Sequence, residues 1–123
     1  MSDIVVRVDD CEMIAEWTDE NPETQASVEA ALPVAGDATR WGDELYVRTD
    51  VDVEPESTTE TVPVGGLAYW PGGNAICLFW GPTPASTDSR PRAAAPVNVF
   101  ARVANTDLLD SLDGGARLRL ERP

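Results

Sequence analysis

Hydrophobic and polar residues alternate along much of this chain with a period of two, which is typical of β-strands that bury one face. Near the N-terminus Ile4, Val6 and Val8 fall on one side of such a strand, and the segment 11–17 alternates in the same way after a short turn. These two segments predict a β-hairpin. The same criterion predicts further strands at 44–49, 61–64, 67–70, 75–80 and 97–103, and a last strand that contains Leu118 and Leu120.

The segment 65–84 contains the clearest part of this pattern. Its aromatic-rich strands, 67–70 and 75–80, are separated by a Pro-Gly-Gly-Asn sequence at 71–74, whose residue types are typical of tight turns. The second strand is apolar on both faces, as expected of a strand in the middle of a sheet. We therefore expect this hairpin to supply much of the hydrophobic core.

A helical period replaces the alternation after residue 20. Asn21 is a suitable cap for a helix that ends before Pro33, because a residue that precedes proline is disfavoured in the helical conformation. Val28, Ala31 and Leu32 form its predicted apolar face.

The remaining segments complete a mainly β pattern. A second, short helix is predicted near 106–112 and would end at Gly114-Gly115. The acidic segment 50–61 and the proline-rich segment 83–96 are predicted loops. Seven or eight short strands with two helical pieces and no internal repeat predict a single domain over residues 1–123, built as a mostly antiparallel barrel with helices at its ends.

Acidic residues dominate the charge of the chain. It contains 22 Asp and Glu against 9 basic residues, all of them Arg, and its formal net charge is −13. Such a surface repels phosphate backbones and anionic membranes, so we expect neither nucleic acid nor a membrane as a partner. In molar salt the Debye length falls to about 3 Å, which screens the repulsion between carboxylates. The composition therefore indicates adaptation to high salt, the alternative being an acidic protein of ordinary habitat.

The expected compartment is the cytoplasm. No apolar run is long enough to span a membrane, and the first residues lack the basic and apolar regions of a secretory signal. In that compartment Cys11 and Cys77, which lie 66 positions apart, are expected to stay as free thiols.

The absence of histidine excludes several kinds of site. Ser-His-Asp and Cys-His nucleophilic systems and histidine-ligated zinc sites cannot be built. The spacing Asp50-x-Asp52-x-Glu54 resembles the start of a calcium loop, but Pro55 stands where such a loop needs glycine. We expect no metal, no cofactor and no catalytic residue.

Two glycine pairs are predicted to be turns. Gly65-Gly66 and Gly72-Gly73 lack the spacing of phosphate-binding loops. We expect instead that these glycines supply the positive φ that tight turns need.

Arginines on two predicted strands are the main candidates for binding. Arg48 shares a strand face with Tyr46, and Arg102 shares one with Asn98 and Phe100. If both faces line the same side of a barrel, they form a pocket that can hold a peptide or a small carboxylate. The alternative is that these arginines pair with surface carboxylates. The predicted ligand-binding residues are Tyr46, Arg48, Phe79, Asn98, Phe100 and Arg102.

Aromatic residues can line a groove or build the core. The candidates are Trp41, Tyr69, Trp70, Phe79 and Trp80. We expect two or three of them to lie in the core and the others to border a depression.

A set of sequence blocks spread over residues 3–104 carries a family resemblance. The blocks are Ala31-Leu32-Pro33, Arg40-Trp41-Gly42-Asp43-Glu44-Leu45-Tyr46, Val64-Gly65-Gly66-Leu67-Ala68-Tyr69-Trp70-Pro71, Ala75-Ile76-Cys77-Leu78-Phe79-Trp80-Gly81-Pro82-Thr83-Pro84 and Pro96-Val97-Asn98-Val99-Phe100-Ala101-Arg102-Val103. In this order they resemble the small prokaryotic cyclophilin-like proteins. Together with the acidic composition they indicate a member from a halophilic archaeon.

The resemblance implies a closed eight-stranded cyclophilin-like antiparallel barrel with two short helices. It does not imply isomerase activity. Full prolyl isomerases carry a Phe-His-Arg segment and further Gln, Phe, Trp and His residues around the proline pocket, whereas this chain has no His and a single Gln, Gln25.

Three functions fit these observations. The leading hypothesis is a non-catalytic binding module for a peptide segment or a small anionic ligand, adapted to high salt. The alternatives are a weak peptidyl-prolyl isomerase that uses one arginine and an aromatic wall, and a structural or subunit-interaction protein. The sequence leaves the oligomeric state open.

Overall fold

Nine β-strands, one α-helix and one short 3-10 helix make up the part of the chain that this computed structural model describes, residues 3–112 and 115–123. In chain order they are β1 (Ile4–Val8), β2 (Cys11–Trp17), α1 (Pro22–Ala31), β3 (Val34–Arg40), β4 (Glu44–Arg48), β5 (Thr59–Thr61), β6 (Gly66–Trp70), β7 (Ala75–Phe79), β8 (Arg92–Val103), the 3-10 helix (Asp107–Ser111) and β9 (Ala116–Glu121). Neither of the described helices is long and apolar enough to cross a membrane.

Eight of these strands close into a ring. The order around it is β2-β1-β9-β3-β4-β7-β6-β8, and β8 returns to pair with β2 through Ala15↔Val103 and Trp17↔Ala101. Every neighbouring pair in the ring is antiparallel. β5 lies outside the ring, beside β8. The prediction of a mainly β fold with a closed eight-stranded antiparallel barrel is confirmed.

Both faces of β7 are buried, which places hydrophobic side chains on both sides of the barrel wall. Ile76 and Leu78 join the main core inside the ring. Cys77 and Phe79 point to the other face and join a smaller cluster outside it. The members of this outer cluster are Val62, Ala68, Cys77, Phe79, Ala93, Val97 and Val99. The prediction of a strand that is apolar on both faces is confirmed, and the candidate site lies on the outer face.

The alternation of residues did not predict β3. Its sequence contains Gly36 and Asp37, which have low strand propensity. The strand forms because it pairs with β9 from Val34 to Ala38 and because Gly36 lets it approach β4. A Cβ atom on Gly36 would lie 2.7 Å from Cγ2 of Val47, so only glycine fits without displacing that side chain.

Two predicted boundaries were wrong. The strand expected at 61–64 is β5, which ends at Thr61, because Pro63 has no N–H to donate and Gly65 turns the chain with a φ of 87°. The loop expected at 83–96 ends early, because Arg92 already pairs with Thr61 of β5.

Helix α1 was predicted correctly, but the cap was not. The Asn21 side chain makes no capping bond; its amide donates to the carbonyl of Val99 at 2.7 Å and its oxygen accepts from the N–H of Ser57 at 2.6 Å. The carboxylate of Glu56 takes over the capping role and accepts from the N–H groups of Glu23 and Thr24 at 3.2 and 3.1 Å.

The buried face of α1 also differs in part from the expectation. Val28 and Leu32 are buried as predicted, Ala31 is exposed, and Thr24 is buried instead. The predicted second helix is the 3-10 helix; its expected stop at Gly114 lies outside the described residues.

Candidate functional site

A cavity of about 300 Å³ lies on the outer face of the barrel, between the β4-β7-β6 sheet and the first half of β8. Aromatic side chains form most of its wall: Trp41, Tyr46, Trp70 and Phe79. Small or aliphatic residues from β8 form the opposite side: Ala93, Ala94, Ala95 and Val97. Two groups able to exchange protons complete the lining next to Tyr46, namely Glu44 and Cys77.

Strand register brings four of these side chains together. Glu44 lies opposite Phe79, and Tyr46 lies opposite Cys77, in the antiparallel pair β4–β7. Residues two apart on a strand point to the same face, so the four form a compact patch on the outside of the barrel. Their backbone positions are therefore held by two strands of the ring.

The cavity exists because the first half of β8 does not pair with β6, its neighbour in the ring. From Asn98 onward β8 pairs with β6, whereas Arg92 and Val97 pair with β5. The diverging segment carries alanines at 93–95, whose short side chains leave the space between β8 and the aromatic wall unfilled.

The turn between β6 and β7 supports the Trp70 indole. A Cβ atom on Gly73 would overlap the six-membered ring of Trp70, and one on Gly72 would lie 3.0 Å from Trp70 Nε1. Gly65 has the positive φ predicted for the glycine pairs, but Gly66, Gly72 and Gly73 do not. In the second pair, glycine is required by the space that the indole occupies rather than by the backbone conformation.

Glu44 is the buried acidic residue of the site, with 6% of its surface exposed. Burial raises its pKa to about 7, and a hydrogen bond with the Cys77 thiol opposes part of that rise. Burial also raises the pKa of Cys77, and the charge of Glu44 adds to the effect. Within residues 3–112 and 115–123, the Glu44 carboxyl forms no ion pair with an arginine and accepts no backbone N–H. It is therefore able to change protonation near neutral pH.

A model of the family described as cyclophilin-like matches residues 2–121, nearly the whole chain. The chain belongs to the cyclophilin-like family. Its solved neighbours include the solution structure of a hypothetical protein from Archaeoglobus fulgidus, which is 39% identical, with a TM-score of 0.81 over 99% of this chain and 95% of the other. No curated protein is significantly similar to it.

A more distant neighbour of the cyclophilin-like chain is McbB, whose structure was solved in complex with tryptophan. The two are 15% identical, with a TM-score of 0.63 over 97% of this chain and 44% of McbB. At that identity the likeness concerns the fold alone.

The cyclophilin-like barrel brings together two of the six residues predicted to bind ligand. Tyr46 and Phe79 line the cavity. Arg48 lies on the same face of β4 as Tyr46 but beyond the cavity, where its Nη1 donates to the carbonyl of Gly73 at 2.8 Å. Arg48 therefore supports the turn between β6 and β7, which lies against Trp70, and does not line the cavity.

The other three predicted residues lie elsewhere. Asn98 is fully buried, donates to Thr24 Oγ1 and the Glu54 carbonyl at 3.0 and 3.1 Å, and accepts from Glu56 N. Phe100 is in the main core, 6.1 Å from the ring of Trp17, and Arg102 is exposed.

A β-bulge explains why these three do not share a face. Leu67 pairs with Ala101, whereas the next residue, Ala68, pairs with Val99, so Phe100 is an extra residue in β8. Phe100 and Ala101 both lie in the main core, and the alternation is inverted beyond them. Asn98 and Phe100 are therefore buried, while Arg102 points outward.

The alternative interpretation, that Arg48 and Arg102 pair with surface carboxylates, is not met among residues 3–112 and 115–123. Six other arginines pair with carboxylates: Arg7, Arg40, Arg90, Arg92, Arg117 and Arg119. Arg48 and Arg102 donate instead to the backbone carbonyls of Gly73 and Val64.

The aromatic residues divide between pocket and core as expected. Trp41, Trp70 and Phe79 line the cavity, while Tyr69 and Trp80 lie in the main core. Glu44, Cys77 and the alanines of β8 also line the cavity but were not predicted from the sequence. Glu44 begins the predicted strand 44–49 and shares a face with Tyr46 at a spacing of two, which is the signal that would have identified it.

Proposed function

We propose that this cyclophilin-like barrel is a non-catalytic binding module that binds one apolar group, about the size of an aromatic ring, in the outer cavity. The group is either a side chain of a peptide segment or the body of a small molecule. The observation that carries the proposal is the four-aromatic wall of a cavity of about 300 Å³, a volume at the lower end of ligand pockets.

The lining argues against the anionic ligand expected from the sequence. That ligand needed Arg48 or Arg102 in the pocket, and neither lines it. The charged candidate in the lining is Glu44, which would repel an anion when ionised. We therefore propose a peptide side chain or a small apolar molecule as the ligand, and not an anion.

The same placement weakens the case for a prolyl isomerase. A donor beside an apolar slot is the minimum that the twisted amide needs. Arg48 and Arg102, the predicted donors, bond to backbone carbonyls away from the slot. A role in subunit interaction stays a prediction from sequence.

We include adaptation to high salt in the proposal. Its support is the formal net charge of −13 on a folded chain of 123 residues. Screening by molar salt reduces the repulsion that such a charge creates.

Four tryptophans make the binding proposal directly testable. Trp41 and Trp70 line the cavity, whereas Trp17 and Trp80 pack with the main core. Titration with 2-phenylethanol, a neutral aromatic probe, in molar KCl should shift the indole N–H signals of Trp41 and Trp70 saturably in a ¹H–¹⁵N NMR spectrum. The signals of Trp17 and Trp80 serve as internal controls and should stay in place.

A matched pair of variants locates the binding. Ala94 is exposed and lines the cavity, so Ala94→Phe should fill it and abolish the shifts. Ala104 is also exposed but lies outside the cavity, so Ala104→Phe should leave them unchanged. Unmoved signals in the unmodified protein, or equal shifts in all four tryptophans, would overturn the proposal.

A further inference from the structure

The cavity combines an aromatic wall with one buried carboxyl group, and no basic side chain lines it in the described part of the chain. We infer that the ligand is an arylalkylamine, whose aromatic ring occupies the apolar part of the cavity and whose ammonium group binds the Glu44 carboxylate. This inference rests on the proposed function and adds the chemical class of the ligand.

The first support is that, among the described residues, the Glu44 carboxyl has no arginine and no backbone N–H as a partner. Its surface is 6% exposed, and the protein supplies the Cys77 thiol, a weak donor, as its neighbour. A buried carboxylate without a cationic or strong hydrogen-bonding partner is costly. An ammonium group in the cavity would provide the missing charge and up to three N–H donors.

The second support is the nature of the surrounding wall. The indoles of Trp41 and Trp70 line the same cavity as Glu44. Tryptophan is the side chain whose face attracts cations most strongly, so an ammonium group would gain from the wall as well as from the carboxylate.

The third support is the distribution of charge. Cys77 of β7 and Tyr46 of β4 are the other titratable groups that face Glu44, while Trp70 of β6 and the alanines of β8 carry no charge. The net charge of −13 adds a negative potential around the cavity. A cation is therefore favoured over an anion both locally and at long range.

The inference predicts a coupling between binding and protonation. Because burial raises the pKa of Glu44 to about 7, the empty site is partly protonated at neutral pH. An ammonium ligand binds the ionised form, so binding releases a proton and the affinity rises with pH. One unit below the pKa only about a tenth of the sites are ionised, and the apparent affinity is about tenfold weaker.

Three probes with the same ring and different charge test this. They are 2-phenylethylamine (a cation), 2-phenylethanol (neutral) and 3-phenylpropionate (an anion). Titrations in molar KCl are followed through the Trp41 and Trp70 signals at pH about 6 and about 8. The amine stays protonated at both pH values because aliphatic amines have pKa values near 10. Molar salt suppresses non-specific attraction of the amine to the acidic surface.

We expect the amine to bind about tenfold or more tightly than the alcohol at the higher pH, since hydrogen bonds to charged groups are the stronger ones. Its affinity should fall about tenfold at the lower pH. Glu44→Gln, which preserves shape, should bring amine and alcohol to equal affinity and remove the pH dependence. Glu16→Gln removes an exposed carboxylate of β2 and should change neither.

The outcomes separate this inference from the proposed function. If the alcohol binds but the amine binds no better, or if the anion binds best, the cavity binds aromatic groups and the amine selectivity is wrong. The selectivity is also wrong if Glu44→Gln retains it. If none of the probes shifts Trp41 and Trp70, both proposals fail. The comparison of probes on the unmodified protein decides the question even if Glu44→Gln does not fold.

Discussion

Arg48 donates a hydrogen bond from Nη1 to the carbonyl oxygen of Gly73 at 2.8 Å, and this bond links an exposed side chain to the wall of the cavity. Gly73 lies against the Trp70 ring so closely that a Cβ atom there would overlap it. Arg48 was predicted from sequence to contact ligand. Its position makes it a support for the turn that holds Trp70.

Replacing Arg48 with Met should loosen that turn. The bond is partly exposed, so we expect a loss of about 0.5–1 kcal/mol in the free energy of unfolding. The indole N–H signal of Trp70 should shift while that of Trp41 stays in place. Arg102→Met is the matched control, because Arg102 is exposed and also donates to a backbone carbonyl, that of Val64. An unmoved Trp70 signal in Arg48→Met would contradict the supporting role.

A methyl group at position 73 should act on Trp70 more directly. In Gly73→Ala the new Cβ atom meets the indole ring, so either the ring or the turn must move. We expect a loss of about 1–3 kcal/mol in stability, typical of overpacking, together with weaker probe binding. Gly36→Ala creates a comparably tight contact with Val47 away from the cavity and should reduce stability without moving the Trp70 signal. Full probe affinity in Gly73→Ala would show that the placement of the indole does not matter for binding.

The raised pKa of Glu44 has a consequence for stability. Its pKa rises from an ordinary 4.5 to about 7 on folding, so the folded state holds more protons between these values. The contribution of Glu44 to the free energy of unfolding therefore decreases as pH rises from about 4.5 to about 7. The full shift corresponds to about 3 kcal/mol.

Comparison with Glu44→Gln isolates this contribution from those of the other carboxylates. The variant and the unmodified protein should have similar stability near pH about 4, and the variant should be more stable at pH about 8 by up to about 3 kcal/mol. Urea unfolding at both pH values measures the difference, with Glu16→Gln as control. A difference that does not grow with pH would mean that Glu44 is not held in the protonated form by burial.

Salt should stabilise the fold. At low ionic strength the Debye length exceeds about 10 Å and the −13 charge repels itself across the molecule. We expect the melting temperature to rise with KCl up to molar concentration. Replacing Asp19 and Glu20, both exposed, with Asn and Gln should lessen that rise. A melting temperature that is indifferent to KCl would contradict adaptation to high salt.

Alternation in the sequence was sufficient to predict the barrel and part of the site. It placed Tyr46 on the strand face opposite to that of Leu45 and Val47. It also predicted that both faces of β7 are buried, including the face that carries Phe79. Tyr46 and Phe79 both line the cavity. Local periodicity is informative here because β4 and β7 are regular strands paired along their whole length.

The features that the sequence analysis missed depend on long-range geometry. The bulge at Phe100 inverts the alternation between Asn98 and Arg102 without any local signal such as glycine. β3 is a strand because β9 lies beside it, and the alanines at 93–95 border a cavity because β8 leaves β6 to pair with β5. The glycine at position 73 was interpreted through backbone conformation, whereas its neighbour Trp70 is the reason for it.

The most direct test of the account is a titration with 2-phenylethylamine in molar KCl at pH about 8, where Glu44 is ionised and the amine is protonated. Our account predicts saturable shifts of the Trp41 and Trp70 indole signals, unmoved Trp17 and Trp80 signals, and loss of the effect in Ala94→Phe. Absence of any shift at Trp41 and Trp70 would contradict the claim that the outer cavity of this cyclophilin-like barrel binds an arylalkylamine.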